Sequence, residues 1–147
     1  MLLGSSVGKA LTTGGSNVAF GATALLNCTD CIGNTAIGRE SMEQSTTGGN
    51  YNTYIGYVAG YYNTTGDNNS SLGYLSGYGV NGTLANTTGS NNTFIGYQSA
   101  NTSSTVSNVI TLGNSSITEI RAAVTGITGL SDIRDKTDIL PLNYGMN

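Results

Sequence analysis

Asn52-Thr53-Tyr54-Ile55-Gly56-Tyr57-Val58-Ala59-Gly60-Tyr61-Tyr62-Asn63-Thr64-Thr65-Gly66 is one period of a repeat, and its reading decides the fold. At its centre a Gly follows an apolar residue. The same pair recurs at Leu3-Gly4, Phe20-Gly21, Ile37-Gly38, Leu72-Gly73, Ile95-Gly96 and Leu112-Gly113. With Ile55-Gly56 included, the spacings are 17, 17, 18, 17, 23 and 17 residues. The long interval reflects roughly six extra residues in the Gly- and Asn-rich stretch 74–85, which reads as a protruding loop. Four units close on Thr-Thr-Gly, at Gly14, Gly48, Gly66 and Gly89. Four residues before the key Gly stands Asn17, Asn34, Asn52, Asn69 or Asn92.

Each unit holds one short β-prone run, such as Val18-Ala19-Phe20, Thr35-Ala36-Ile37 or Thr93-Phe94-Ile95, ending in Gly. A second short segment, Ala59-Gly60-Tyr61-Tyr62 and its equivalents, precedes the Thr-Thr-Gly bend. Seventeen residues are too few for a helix pair or a propeller blade. They suit one coil of a β-solenoid, in which coils stack about 4.8 Å apart. The expected fold is all-β, a repetitive parallel β-roll of about 17 residues per coil. Six or seven coils make a rod on the order of 30 Å long. Phe20, Ile37, Ile55, Leu72, Ile95 and Leu112 are expected to form an apolar ladder, and the Asn column an amide ladder at the bend. The Gly columns are expected to supply positive φ at corners. Three residues after the key Gly the position is small (Val7, Ala24, Ser41, Ala59, Ser76, Ser99), which would let another backbone approach. From that column we expect three chains packed about a common axis.

The composition agrees with a structural role. Gly (22), Thr (21), Asn (17) and Ser (16) exceed half of the 147 residues, yet low charge and nine Tyr argue against disorder. With no His, the usual general base and commonest metal ligand are missing, so His-dependent triads and most zinc sites are excluded. A net charge of −3, with five basic residues, provides no nucleic-acid footprint. No apolar run approaches the roughly 20 residues of a membrane span, and Gly4-Ser5-Ser6 follows Met1-Leu2-Leu3 at once, so no signal peptide is expected. No cofactor and no metal is expected.

The pattern Asn-Thr-x-Ile-Gly-x-x-Ala-Gly-x-x-x-Thr-Thr-Gly resembles the head repeats of trimeric autotransporter adhesins and related repeats of phage tail fibres, over about residues 3–113. The resemblance implies a left-handed parallel β-roll with three chains side by side. Ser131-Asp132-Ile133-Arg134-Asp135-Lys136-Thr137-Asp138-Ile139-Leu140-Pro141-Leu142 resembles the opening of the intramolecular chaperone domain of phage tailspikes and fibres, the S74 peptidase family. Composition shifts there too: five of the 13 charges fall within 132–138, whereas residues 44–118 hold only Asp67. The resemblance implies self-cleavage before Ser131, with Ser131 as nucleophile on the Leu130 carbonyl and Lys136 as its base. Only 17 residues of that domain, 131–147, fall within the sequence, so the dyad is expected not to assemble here, and the 147 residues are read as a section of a longer fibre or a short fibre with a docked N-terminus. The expected organisation is solenoid over 1–113, linker or intertwined stem over 114–130, and chaperone start over 131–147.

Other features carry two readings each. Ser131 also suits a helix or turn cap, and Asp132, Asp135 and Asp138 suit a solvated face better than a metal site. Cys28 and Cys31 read as small buried residues or a local or interchain disulfide, because zinc would need two further ligands. Tyr57, Tyr74 and Tyr97, with Tyr54, Tyr61 and Tyr62, read as stacked packing or as sugar-binding faces. Tyr78, in the inserted loop, is the expected receptor contact. Asn-x-Ser/Thr triplets at Asn63, Asn81 and Asn86 follow from composition. In 114–130, Ser116-x-x-Glu119 suggests a capped helix, and Gly126 and Gly129 oppose one.

The expected function is a structural one: a trimeric shaft or tip of a phage tail fibre, extracellular on the virion, joined to other fibre or baseplate proteins and to a host-surface glycan or protein. No nucleic acid and no membrane insertion is expected. A cellular trimeric adhesin is one alternative. An ice-binding solenoid is the other, from a Thr face at Thr12-Thr13, Thr46-Thr47, Thr64-Thr65 and Thr87-Thr88.

Overall fold

The computed structural model describes residues 1–79 and 82–121. Seven short strands, β1 (Leu2–Leu3), β2 (Val18–Phe20), β3 (Thr35–Ile37), β4 (Thr53–Ile55), β5 (Ser70–Leu72), β6 (Thr93–Ile95) and β7 (Ile110–Leu112), form one sheet in sequence order. Every pairing is parallel and joins equivalent residues of successive units. Phe20 lies beside Ile37, Ile37 beside Ile55, Ile55 beside Leu72, Leu72 beside Ile95, and Ile95 beside Leu112. This is the expected β-solenoid of about 17 residues per coil. Each coil carries one strand, and the second short segment is built from turns instead.

The turns repeat as faithfully as the strands. The key Gly of the first six units adopts φ between 108° and 142°. Two residues on, the chain is left-handed at Ser6, Thr23, Glu40, Val58, Leu75 and Gln98. Five residues before the key Gly it is left-handed again, at Ser16, Gly33, Tyr51, Asn68, Asn91 and Asn108. Non-Gly residues avoid this region, so the conformation is held from outside the residue. Bonds between coils do this: Val58 N–H donates to the Arg39 carbonyl at 3.0 Å and Leu75 N–H to that of Tyr57 at 3.0 Å. The Thr-Thr-Gly glycines differ from expectation, since only Gly48 among them has positive φ. At Gly66 and Gly89 the need is space: a Cβ on either would strike the carbonyl oxygen of the next coil.

The Asn column forms the expected amide ladder. The backbone N–H of Asn34, Asn52, Asn69 and Asn92 each donates to the Oδ1 of the Asn one coil earlier, at 2.8–3.0 Å. Val109 N–H closes the series on Asn92 at 3.0 Å. The amide NH2 groups of Asn52, Asn69 and Asn92 donate to the carbonyls of Gly66, Gly89 and Val106 at 2.8–2.9 Å, tying each strand entry to the bend that ends the coil. A second buried column works locally: Asn63 and Asn86 donate to Gly66 and Gly89, each at 2.8 Å.

The interior corrects one expectation. The small column does not face outward: Ala24, Ser41, Ala59, Ser76 and Ser99 are buried inside the coil. The coil is so thin that one large side chain fills a layer, and volumes compensate along the chain. Where the strand centre is Ala19 or Ala36, the corner carries buried Leu25 or Met42. Where the centre is Tyr54, the corner is Gly60, and any Cβ there would enter the Tyr54 ring.

Tyr54 also makes a prediction. Its hydroxyl is buried with no partner in good hydrogen-bond geometry, and burial holds its phenol above the ordinary tyrosine range, with the nearby Asn69 and Asn86 side chains opposing that rise only in part. Phe94 fills the equivalent strand position with no hydroxyl at all. Tyr54→Phe is therefore expected to raise stability by about 1 kcal/mol, read as a higher urea midpoint. A lower midpoint would mean that the hydroxyl is bonded in solution.

Candidate functional site

Outward from the sheet point the first and third residues of β2–β7, and the third, together with Leu3 of β1, forms the apolar ladder. Phe20 and Leu72 are each 52% exposed, and Leu3, Ile37, Ile95 and Leu112 are exposed as well. Ile55 is half-buried. Val18 and Ile110 extend this surface beside Thr35, Thr53, Ser70 and Thr93. The result is one uncharged face on which equivalent residues of successive coils lie side by side. Parallel sheets are ordinarily covered on both faces, and a contiguous exposed apolar patch marks an interaction surface.

The tyrosines fall into two groups. Tyr57, Tyr74 and Tyr97 stack along the coils, with ring centroids 5.5 and 5.4 Å apart and interplanar angles of 8° and 18°. The Arg39 guanidinium lies 5.6 Å from the centroid of the Tyr57 ring. All three rings remain substantially exposed. The second group joins Tyr78 to Tyr61 and Tyr62, 6.0 and 5.3 Å away between centroids. Tyr61 and Tyr62 meet edge to face at 4.8 Å. The Gln44 amide donates to the Tyr61 hydroxyl at 3.3 Å, and that hydroxyl donates to Glu43 at 3.5 Å. Burial is the main cause that raises the Tyr61 and Tyr78 phenols. For Tyr61 the Gln44 bond opposes the rise and the Glu43 carboxylate adds to it; for Tyr78 the Tyr62 phenol adds to it.

Tyr78 reaches this cluster because of where the insertion begins. Asn86 N–H donates to the Gly77 carbonyl as Asn63 N–H does to Gly60, so the chain leaves the coil path after Gly77 and rejoins it at Asn86. Sequence reasoning singled out Tyr78 but missed Glu43 and Gln44. The signal was the period itself, since Gln44 and Tyr61 lie 17 residues apart and so occupy adjacent coils.

The paired threonines have divided roles. Thr12, Thr64 and Thr87, and Thr29 at the same position of the Thr29-Asp30 unit, each donate their hydroxyl to a carbonyl of the next coil at 2.9–3.2 Å. Their partners Thr13, Thr65 and Thr88, and likewise Thr47, are exposed. Cys28 and Cys31 are joined in a local disulfide, fully buried. It bridges the two positions that Asn63 and Gly66 connect by a hydrogen bond in a later coil.

Ser131 and Lys136, the residues expected to perform self-cleavage, lie outside the described residues, as do Asp132, Asp135 and Asp138. Residues 114–121 contain no helix; Ser116 N–H donates instead to the Asn114 side chain at 2.9 Å. Among the described residues no group of His, Cys, Asp and Glu side chains is placed to hold a metal ion, and no helix is long and apolar enough to cross a membrane. No family model, no curated protein and no solved structure matches the chain.

Proposed function

We propose that this chain is a structural segment of a phage tail fibre that associates as a homotrimer through its outer aliphatic face and takes part in host-surface attachment. The carrying observation is that face, an unbroken column from Leu3 to Leu112 left uncovered on a seven-stranded parallel sheet. Three such faces meeting about an axis would remove the column from water, at about 25 cal/mol per Å² of apolar surface. The small interior column plays no part in this association. The sequence resemblance supports the fibre reading, and the virion as the site of action. Tyr78 in its tyrosine cluster, with Glu43 and Gln44, is the proposed receptor contact, to a host glycan or protein. Other fibre or baseplate proteins would hold the ends. No enzymatic activity is proposed for the solenoid. Self-cleavage at Ser131 with Lys136 as base is proposed only for a chain that carries the whole chaperone domain.

Light scattering tests the association. The native mass is expected near three times the 15.0 kDa of the chain, about 45 kDa. Ile55→Lys combined with Leu72→Lys places charges on the face and is expected to yield a 15.0 kDa monomer with an unchanged β-sheet circular dichroism spectrum. A wild-type monomer at every concentration would defeat the trimer. Thermal hysteresis from that monomer would instead favour ice binding through the exposed Thr13, Thr47, Thr65 and Thr88.

A further inference from the structure

We propose that the depression beside Tyr97 is a binding site for a neutral saccharide. The inference deepens the attachment reading, on which it rests for its biological role. Tyr97 ends the aromatic stack: Tyr74 covers one side, and the equivalent residue of the next coil is Asn114, so no ring stacks beyond it among the described residues. There the surface opens into a depression of about 670 Å³, a volume in the range of ligand sites. Its lining includes Tyr97, Leu84, Gln98, Asn101, Thr111 and Asn114, and no charged side chain contributes.

This is the chemistry of sugar recognition. An exposed aromatic ring accepts the C–H-rich face of a pyranose. Amides and hydroxyls supply both donors and acceptors, which match sugar hydroxyls that are themselves both. The absence of charge from the lining argues for a neutral ligand over a phosphate or a sialic acid.

Asn101 adds an independent observation. It is 4% exposed, and its amide NH2 donates to the Val106 carbonyl at 3.1 Å and to Asn86 Oδ1 at 3.4 Å. Both partners are acceptors, so the amide orientation is fixed. Its Oδ1 is left buried with no partner. A buried acceptor without a donor is costly, and because Asn101 belongs to the lining of the depression, a small rotation of its side chain would let a ligand hydroxyl bound there supply the missing donor. Tyr57, at the opposite end of the stack, does not line this depression and lies under Arg39.

Saturation-transfer NMR on the intact chain tests the site, with lactose, maltose and N-acetyllactosamine as probes at about 5 mM, suited to millimolar affinity. At least one is expected to bind. Tyr97→Ala is expected to weaken that binding about tenfold, whereas Tyr97→Phe and Tyr57→Ala keep it within twofold. Sialyllactose is expected to bind no better than lactose. Absence of transfer from all three neutral probes, or equal binding by Tyr97→Ala, overturns the proposal; so does preference for sialyllactose. The native mass of the same samples separates the two readings. A trimer that binds no saccharide defeats this inference and leaves the fibre standing. A monomer whose saccharide binding depends on Tyr97 supports the site and defeats the trimer.

Discussion

Gly56→Ala is expected to destabilise the chain by about 4 kcal/mol, enough to disorder the central coils. Gly56 sits at φ 142°, a backbone conformation that L side chains rarely adopt. A Cβ there would lie 2.6 Å from the Gly73 carbonyl carbon and nearer still to its oxygen. Neither obstacle can move. The Gly73 backbone is held by its own N–H, which donates to the Ile55 carbonyl at 2.9 Å, and Gly56 N–H donates to Ile37 at 2.8 Å. Relief would require parting two coils and breaking the sheet at its middle. Gly15→Ala is the control: its added Cβ would meet nothing within 4 Å and its φ is not positive. That change is expected to stay within about 0.5 kcal/mol of wild type. Urea unfolding followed by circular dichroism measures both, and equal midpoints for the two variants would refute the account of the key glycine.

Asn69→Ala is expected to cost about 3 kcal/mol, by orphaning a buried donor and leaving a cavity. Asn69 is fully buried, and its Oδ1 receives the Asn92 backbone N–H at 3.0 Å. Its NH2 also donates to the Gly89 carbonyl at 2.8 Å, but Asn86 serves that same carbonyl at 2.8 Å and would remain. The loss therefore falls on Asn92 N–H, which gains no substitute from alanine. Asn69→Asp should be worse. It keeps an acceptor, loses the donor to Gly89, and buries a charge. Because coils interact chiefly with their neighbours, hydrogen exchange is expected to lose protection first at Asn52, Asn69 and Asn92. Protection unchanged at Asn92 would sink the ladder as a source of stability.

Much of this architecture was legible in the residues. The period placed Asn34 on Asn17 and Ile55 on Ile37, and both ladders stand where it put them. The Thr-Thr-Gly bend was legible as a corner, although its glycines answer a need for space more than for positive φ. The two-tyrosine alternatives were not separable from sequence. Tyr57, Tyr74 and Tyr97 proved to stack while remaining exposed, which satisfies packing and leaves the last ring available. The Tyr78 cluster was hidden because its members belong to different coils, and only the departure of the chain after Gly77 brings Tyr78 onto Tyr62.

By itself the sequence determined the period, the parallel register and which residue stacks on which, because equivalent positions of identical coils must superpose. Tertiary structure alone decided which columns face inward. The strand rule allows either face to be buried, and nothing local separates Ala36 from Ile37. The choice depends on the volume enclosed by a whole coil, to which residues far apart contribute together. That volume admits Ala36 with Met42, or Tyr54 with Gly60, and it has no room for the Ile37 and Leu72 column as well. So the small residues went inside, and the aliphatic ladder was left on the surface, where a second chain can reach it.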